Sequence, residues 1–336
     1  MELRRTQETG KGTLFVSLPK HWARRQNLRK GSFIAIRERT DGCLVLDPAY
    51  EQTGEIQEAV IKYPGSRIDY VEWGITGAYL LGYDAVIIKA EERIMPKDRE
   101  RIKRTIQSLV GLEILEEHAY GMQVQCLIDS TLLMPERLLK RMNSITISMQ
   151  NDALTALTEN DLHLAEVVTR RDDEVDRLYF LLVRLLRSAI RNPKLAERFK
   201  ITPIECLDYR VTGTLIESIG DYAVDIASDI LNTPPYRYGE GLLSSIKDVG
   251  ETLEEMQNLA VNGFLTMNEK TLLEVHQKHD LLLKQLENLE GEVAKLLPSN
   301  IPYLSSITSS LDQIGRSNLD ITDLIVPVGV VEEKGS

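Results

Sequence analysis

Cysteine is scarce in this 336-residue chain. Cys43, Cys126 and Cys206 lie far apart and form no Cys-x-x-Cys pair. That excludes a disulfide framework and makes a reducing cytosol the expected setting. Long apolar runs are missing as well. The most apolar helical stretch, "LYFLLVRLLRSAI", is broken by arginine, so no membrane span is expected. The N-terminus is polar and basic with no apolar run behind it, so no signal peptide is expected. Five histidines are present, and none has Glu three residues before it. The Glu-x-x-His motif of di-iron bundle enzymes is therefore absent, and an enzyme is not expected. "TGKGT" at residues 9–13 lacks the Gly-x4-Gly-Lys-Ser/Thr spacing of a phosphate-binding loop.

What is there is charge, unevenly spread. The net charge is −11, yet residues 1–30 carry eight Lys or Arg against Glu2 and Glu8. An acidic protein with a basic head predicts that the head meets a polyanion, set against the plainer reading of a solvated patch.

The head has its own pattern. Residues 4–8 read as a strand, Gly10-Lys11-Gly12 as a tight turn, and "TLFVSL" as a second strand. Pro19 opens a short helix, where its fixed φ fits. "FIAIRER" and "CLVLD" form a hairpin about "TDG". A unit of this size has too little core to stand alone, which predicts dimerisation. Over residues 3–48 the order of Gly10, Gly12, Leu18-Pro19-Lys20, Leu28 and Gly31 resembles the AbrB/SpoVT family. The resemblance implies a swapped-hairpin β-barrel shared by two chains. It implies DNA contacts from Arg4, Arg5, Lys11, Lys20, Arg24 and Arg25. Members of that family also serve purely as dimerisers.

Residues 51–130 change character. The order βαβαββ predicts a small α/β sandwich with a mostly antiparallel sheet. Ile68, Val71, Ile75, Tyr79 and Leu80 form the apolar side of its first helix, and Gly74, Gly77 and Gly82 read as packing glycines. No catalytic constellation is present. Its role is left open between a small-molecule sensor and a dimer interface, and no residue identifies either.

From Met134 the period is helical. Six helices are predicted, at 135–159, 161–191, 202–231, 239–267, 269–296 and 300–325. "ESIGDYAVDIASDI" at 217 aligns with "DQIGRSNLDITDLI" at 312, so the helices form two tandem three-helix bundles, at 131–234 and 235–330. These residues resemble the PhoU family, on Asp172-x3-Asp176 and "Glu217-Ser-Ile-Gly-Asp221-Tyr-Ala-Val-Asp225-Ile-Ala". In the second unit Arg316 replaces the acid matched by Asp221, and His276 replaces Asp172. Head and body together resemble archaeal phosphate-uptake regulators. The expected fold class is a multidomain α+β chain, with a head at 1–50, the α/β layer at 51–130 and the two bundles.

The resemblance implies iron or zinc at Asp172, Asp176, Glu217, Asp221 and Asp225. Acids four apart share a helix face, and two facing helices can build an oxygen-rich cation site. A helical wheel built on Val211, Leu215, Ile219, Ile226 and Ile230 instead sets the acids beside the core, facing water. Exposed like charges at this spacing cost only about 0.2–0.5 kcal/mol per pair, so a solvated face without metal is also open. The implied function is a cytoplasmic, dimeric, DNA-binding regulator of phosphate uptake. Its partner would be the phosphate ABC transporter's ATPase or another signalling protein. The alternative is a dimeric adaptor that binds no DNA.

Overall fold

The computed structural model describes residues 2–10, 12–38, 42–48, 56–63, 67–233 and 237–325. The chain divides into two compact units, Met1–Glu55 and Ile56–Ser336.

In the first unit β1 (Gln7–Glu8) pairs antiparallel with β2 (Leu14–Phe15), helix α1 covers Lys20–Arg25, and β3 (Ala35–Glu38) pairs antiparallel with β4 (Leu44–Asp47). Gly12 takes a φ of 81°, a left-handed turn that a side chain would strain. The two ladders stay separate two-stranded sheets within one chain. Much of the unit's apolar surface lacks cover: Leu14 is 67% exposed, Leu44 65% and Phe33, ahead of β3, 80%, while Val45 and Leu46 are half-buried.

The second unit opens with the α/β layer. Its sheet has the order β5 (Glu58–Tyr63), β6 (Ala85–Ala90), β8 (Gly121–Cys126), β7 (Leu112–His118). The β5–β6 pair is parallel and the other two pairs are antiparallel. Helices α2 (Asp69–Leu80) and α3 (Pro96–Gln107) bury Val71, Ile75, Tyr79, Ile102 and Ile106 against Val86, Ile88, Met122 and Val124. Gly74 does admit close packing, with Ile61 Cδ1 only 3.0 Å from where a Cβ would stand. Gly77 does not, since nothing lies within 4 Å of its position. Gly82 instead ends the helix with a φ of 82°.

The body comprises α4 (Pro135–Glu159), α5 (Leu162–Arg191), α6 (Pro193–Phe199), α7 (Pro203–Asn232), α8 (Glu240–Thr266), α9 (Lys270–Val293) and α10 (Ile301–Thr322). Capping chemistry fixes the starts. Asp161 accepts from Leu164 N, and Thr202 with Glu205 forms a reciprocal capping box ahead of Pro203. Helices α4, α5 and α7 pack as one bundle and α8, α9 and α10 as another. Helix α7 also packs on α10 and α4 on α8, so one continuous apolar core runs through both bundles.

The repeat is visible in three dimensions. A Cβ at Gly220 would meet Thr146 on α4 and Val175 on α5, and one at Gly315 would meet Leu253 on α8 and Leu282 on α9. Gly315 lets α10 close on α8 and α9, since a Cβ there would stand 2.3 Å from Leu282 Cδ2, while Gly220 sits at ordinary contact distance from α4 and α5.

Arg184 joins the α/β layer to the body. It is 4% exposed, donates to Tyr79 O at 2.7 Å and Tyr83 O at 3.0 Å, and lies 5.0 Å over the Tyr79 ring. The two carbonyls belong to the end of α2 and its exit, where backbone acceptors lack partners within the helix. Arg184→Met keeps the aliphatic volume and removes both bonds. It is expected to lower the unfolding free energy by about 2–3 kcal/mol in urea titration, since charged donors to buried acceptors carry about that much.

Candidate functional site

Unit by unit, the structure places the basic residues of the head at its surface. Arg24 and Arg25 occupy the last turn of α1, where positive charge also suits the helix dipole. Arg5 and Lys20 are exposed. Arg4 pairs with Glu2 and donates to Ser17 Oγ at 3.3 Å. Lys11 lies outside the described residues.

The acids of the first bundle fall on the seam between α5 and α7. Asp172, Asp176 and Glu217 are half-buried there, while Asp221 and Asp225 reach solvent. Ile219, Ile226 and Ile230 of the wheel's face are buried, but Val211 is 43% exposed and Leu215 half-buried, so the buried face of α7 overlaps the one drawn from the wheel and is turned away from Val211. It is carried by Thr212, Gly213, Ile216, Ile219, Gly220, Ala223, Ile226, Ala227 and Ile230. Small residues at 213, 220, 223 and 227 let α7 approach its neighbours closely, and this closeness half-buries acids that a lone helix would expose.

Charge crowding shows in every carboxyl. Burial, then Asp221, Asp176 and Asp172, push Glu217 up to about 7, with Arg210 opposing weakly. Burial, then Asp172, Asp176 and Asp225, push Asp221 up to about 6, although its side chain still touches water. Burial raises Asp172, Asp176 and Asp225 as well, each aided by neighbouring acids. Nearby arginines are engaged elsewhere: Arg171 with Asp152 at 2.6 Å, Arg141 with Glu174 at 2.6 Å, and Arg210 over the Tyr179 ring at 5.1 Å. Asp172 Oδ1 is buried with no hydrogen-bond partner. It lies 3.8 Å from where a Cβ at Gly220 would stand.

These observations test the fit to a cation. The donor set is all oxygen and all carboxylate, with an orphaned acceptor at its inner edge, which suits a hard or borderline cation. Among the described residues no three His, Cys, Asp or Glu side chains converge tightly enough to hold one as they stand. The residues fit in kind and in neighbourhood, and ligation requires side-chain rotation. The second bundle offers less. Arg316 donates to Asp312 at 2.8 Å and neutralises the corresponding stripe, and His276 and Asp280 are exposed.

A pH prediction follows for chelator-treated protein. Carboxyls raised in the folded state bind protons more tightly than in the unfolded chain, so folding stability falls as pH rises. For Glu217 the window runs from about 4.5, its ordinary value, up to about 7. After allowance for solvent screening the loss is about 1–2 kcal/mol. Thermal unfolding between pH 4.5 and 7.5 is expected to show it, and Glu217→Gln to flatten it.

Two pieces of the molecule escaped the reading from sequence. Helix α6 carries a visible signal, Asn192 before Pro193, and Asn192 Oδ1 accepts from Lys194 N at 3.1 Å. Arg184 carried none, because an arginine inside an apolar stretch reads equally as a helix surface residue.

Fold and site define a class: a tandem pair of three-helix bundles with an unneutralised acid seam in the first. Residues 139–230, helices α4 to α7 of that bundle, match the PhoU domain family. A "Phosphate-specific transport system accessory protein PhoU homolog" of Clostridium acetobutylicum is 23% identical over 179 residues, 52% of this chain and 78% of that protein. The structure of PhoU from Pseudomonas aeruginosa matches at a TM-score of 0.49 and 18% identity, over 57% of this chain and 93% of the other. The PhoU regulatory protein of the phosphate transport system from Streptococcus pneumoniae gives 0.47 and 18%, over 57% and 91%. Among the described residues no helix is long and apolar enough to cross a membrane.

Proposed function

We propose that this chain is a PhoU-type regulator of phosphate uptake that joins DNA binding to a cation-holding helical body. The observation that carries the proposal is the gathering of Asp172, Asp176, Glu217 and Asp221 on one seam, within the matched PhoU domain, with only a weak opposing influence from Arg210 and no ion pair to any of the four among the described residues. Iron or zinc on that seam would neutralise the acids and set the spacing of α5 and α7. Asp225, one turn beyond Asp221, would complete the oxygen ligands. The similarity to an accessory protein of phosphate-specific transport supports phosphate status as the signal. It also supports the transporter's ATPase, or another protein of that signalling system, as the partner.

The head supports DNA as the output. Arg5, Lys20, Arg24 and Arg25 are exposed on a unit whose exposed apolar side chains call for a second copy. Phosphate contacts would give affinity that falls with salt. Those same exposed apolar residues also favour the adaptor reading, in which the head only dimerises. Binding of purified protein to DNA upstream of phosphate-transport genes, followed through a salt titration, separates the two. Salt-sensitive binding supports the regulator, and its absence at low salt with an intact dimer supports the adaptor.

A further inference from the structure

The α/β layer has two faces, and among the described residues helices cover only one, although small Ala85 on the other is buried among its neighbours. Helices α2 and α3 cover the face that carries Ala59, Ile61, Val86, Ile88, Met122 and Val124. The register puts three rows on the other face. The first row is Glu58, Ala85, Gln125 and Glu113. The middle row is Val60, Ile87, Gln123 and Glu116. The third is Lys62, Lys89, Gly121 and His118. Val60 is 56% exposed, and Leu115 at the β7 bulge 49%.

Charge divides this face by ends. Acids stand at one end of the strands and lysines at the other, about an apolar centre at Val60 and Ile87. On the helix side Arg99 and Lys103 pair with Glu117, and Arg101 with Asp69 and Glu72. Among the described residues the open-face Glu58, Lys62, Lys89 and Glu113 have no ion pair, although all four are exposed.

We propose that this face docks on the same face of a second copy of the chain, about a two-fold axis running across the strands along the middle row. The charges select that axis. A two-fold along the middle row reverses strand direction, so Lys62 and Lys89 approach Glu58 of the partner subunit, and the relation repeats by symmetry. A two-fold parallel to the strands would set Glu58 over Glu113 of the partner subunit, like charge on like. Apolar Ile87 lies near the axis and faces its own mate.

Size decides how strong the contact is. Four strands about 4.8 Å apart and six residues long present roughly 400 Å². Two such faces bury about 800 Å², short of the roughly 1,200 Å² of a stable interface. The contact therefore forms when the heads already hold two chains together and raise the local concentration. This part rests on the dimeric head of the proposed function. The middle layer then registers the two bodies against each other.

The test is cross-linking in the full chain, with Cys43→Ser, Cys126→Ala and Cys206→Ala as background. Sheets packed about 10 Å apart bring opposed Cβ atoms within reach of a short bismaleimide, not of a disulfide. Ile87→Cys is expected to cross-link two chains, with Val60→Cys as a second reporter should the first perturb folding. Lys62→Glu with Lys89→Glu is expected to cut the yield about tenfold, as four weak pairs turn repulsive. Adding Glu58→Lys is expected to restore it. A dimer by light scattering in which neither cysteine cross-links overturns the sheet contact and leaves the dimeric head standing. A monomer overturns both. Cross-linking indifferent to the charge variants overturns the proposed axis.

Discussion

Reversing Arg5, Arg24 and Arg25 to Glu is expected to weaken DNA binding at least about a hundredfold near physiological salt, with the dimer retained. All three are exposed, and none has an ion pair among the described residues. In a dimer six positive charges become six negative ones. Each lost phosphate contact removes close to one unit from the slope of log affinity against log salt, so the slope is expected to fall by roughly six. Fluorescence anisotropy with a labelled duplex at several salt concentrations reads both quantities. Light scattering on the same samples shows whether the dimer persists. Arg4 is the poorer choice for this experiment, because Glu2 and Ser17 already hold it.

Gln257→Leu is expected to cost about 3–5 kcal/mol of folding stability, the largest effect of any single substitution considered. Gln257 is fully buried on α8, at the junction between the bundles. It accepts from Gln150 Nε2 and donates to Asn143 Oδ1 at 3.0 Å and Thr146 Oγ1 at 2.8 Å. Leucine would leave the Gln150 and Asn143 amides buried without this partner, while Thr146 keeps its bond to Asn143 O at 3.1 Å, and each orphaned amide costs about 1–3 kcal/mol. Removing Gln150 as well, as Gln150→Leu with Gln257→Leu, is expected to recover part of the loss, because the orphaned Gln150 amide goes with it while Asn143 stays unpaired. Urea titration of the two variants measures the difference. The network reaches the acid seam, since Thr146 Cγ2 lies 3.4 Å from where a Cβ at Gly220 would stand. Loosening the bundle junction is therefore expected to loosen the site.

The body was legible in the sequence because periodicity and caps agreed. Pro135 and Glu159 bound α4 where the pattern placed them, and Asp161 caps α5. The aligned glycines at 220 and 315 marked the repeat; at Gly315 a Cβ would stand 2.3 Å from Leu282 Cδ2, whereas at Gly220 it would meet its neighbours at ordinary contact distance. The strands of the α/β layer were equally clear, with "EAVIKY" and "DAVIIKA" falling on β5 and β6. The head was legible in element order, while its expected barrel requires a second chain that one sequence does not display.

The acid seam was half legible. Spacing put the acids on shared faces, but a wheel for one helix assigns burial to one helix. Val211 fits an apolar stripe and yet is exposed, and Glu217 is half-buried because α5 passes beside it. The open sheet face was hidden for a similar reason. Glu58, Val60 and Lys62 look like any solvated alternation until the register aligns them with Ala85, Ile87 and Lys89. Arg184 and Gln257 were hidden because a buried polar residue is defined by partners about a hundred positions away.

The central claim is that the seam between α5 and α7 holds a cation. Elemental analysis of tag-free protein tests it most directly, comparing the wild type with Asp221→Asn plus Asp225→Asn. The account predicts bound metal in near-integral ratio to the wild-type chain and its loss from the variant. No metal in either protein, or equal metal in both, would contradict it and leave the acids as a solvated or docking face.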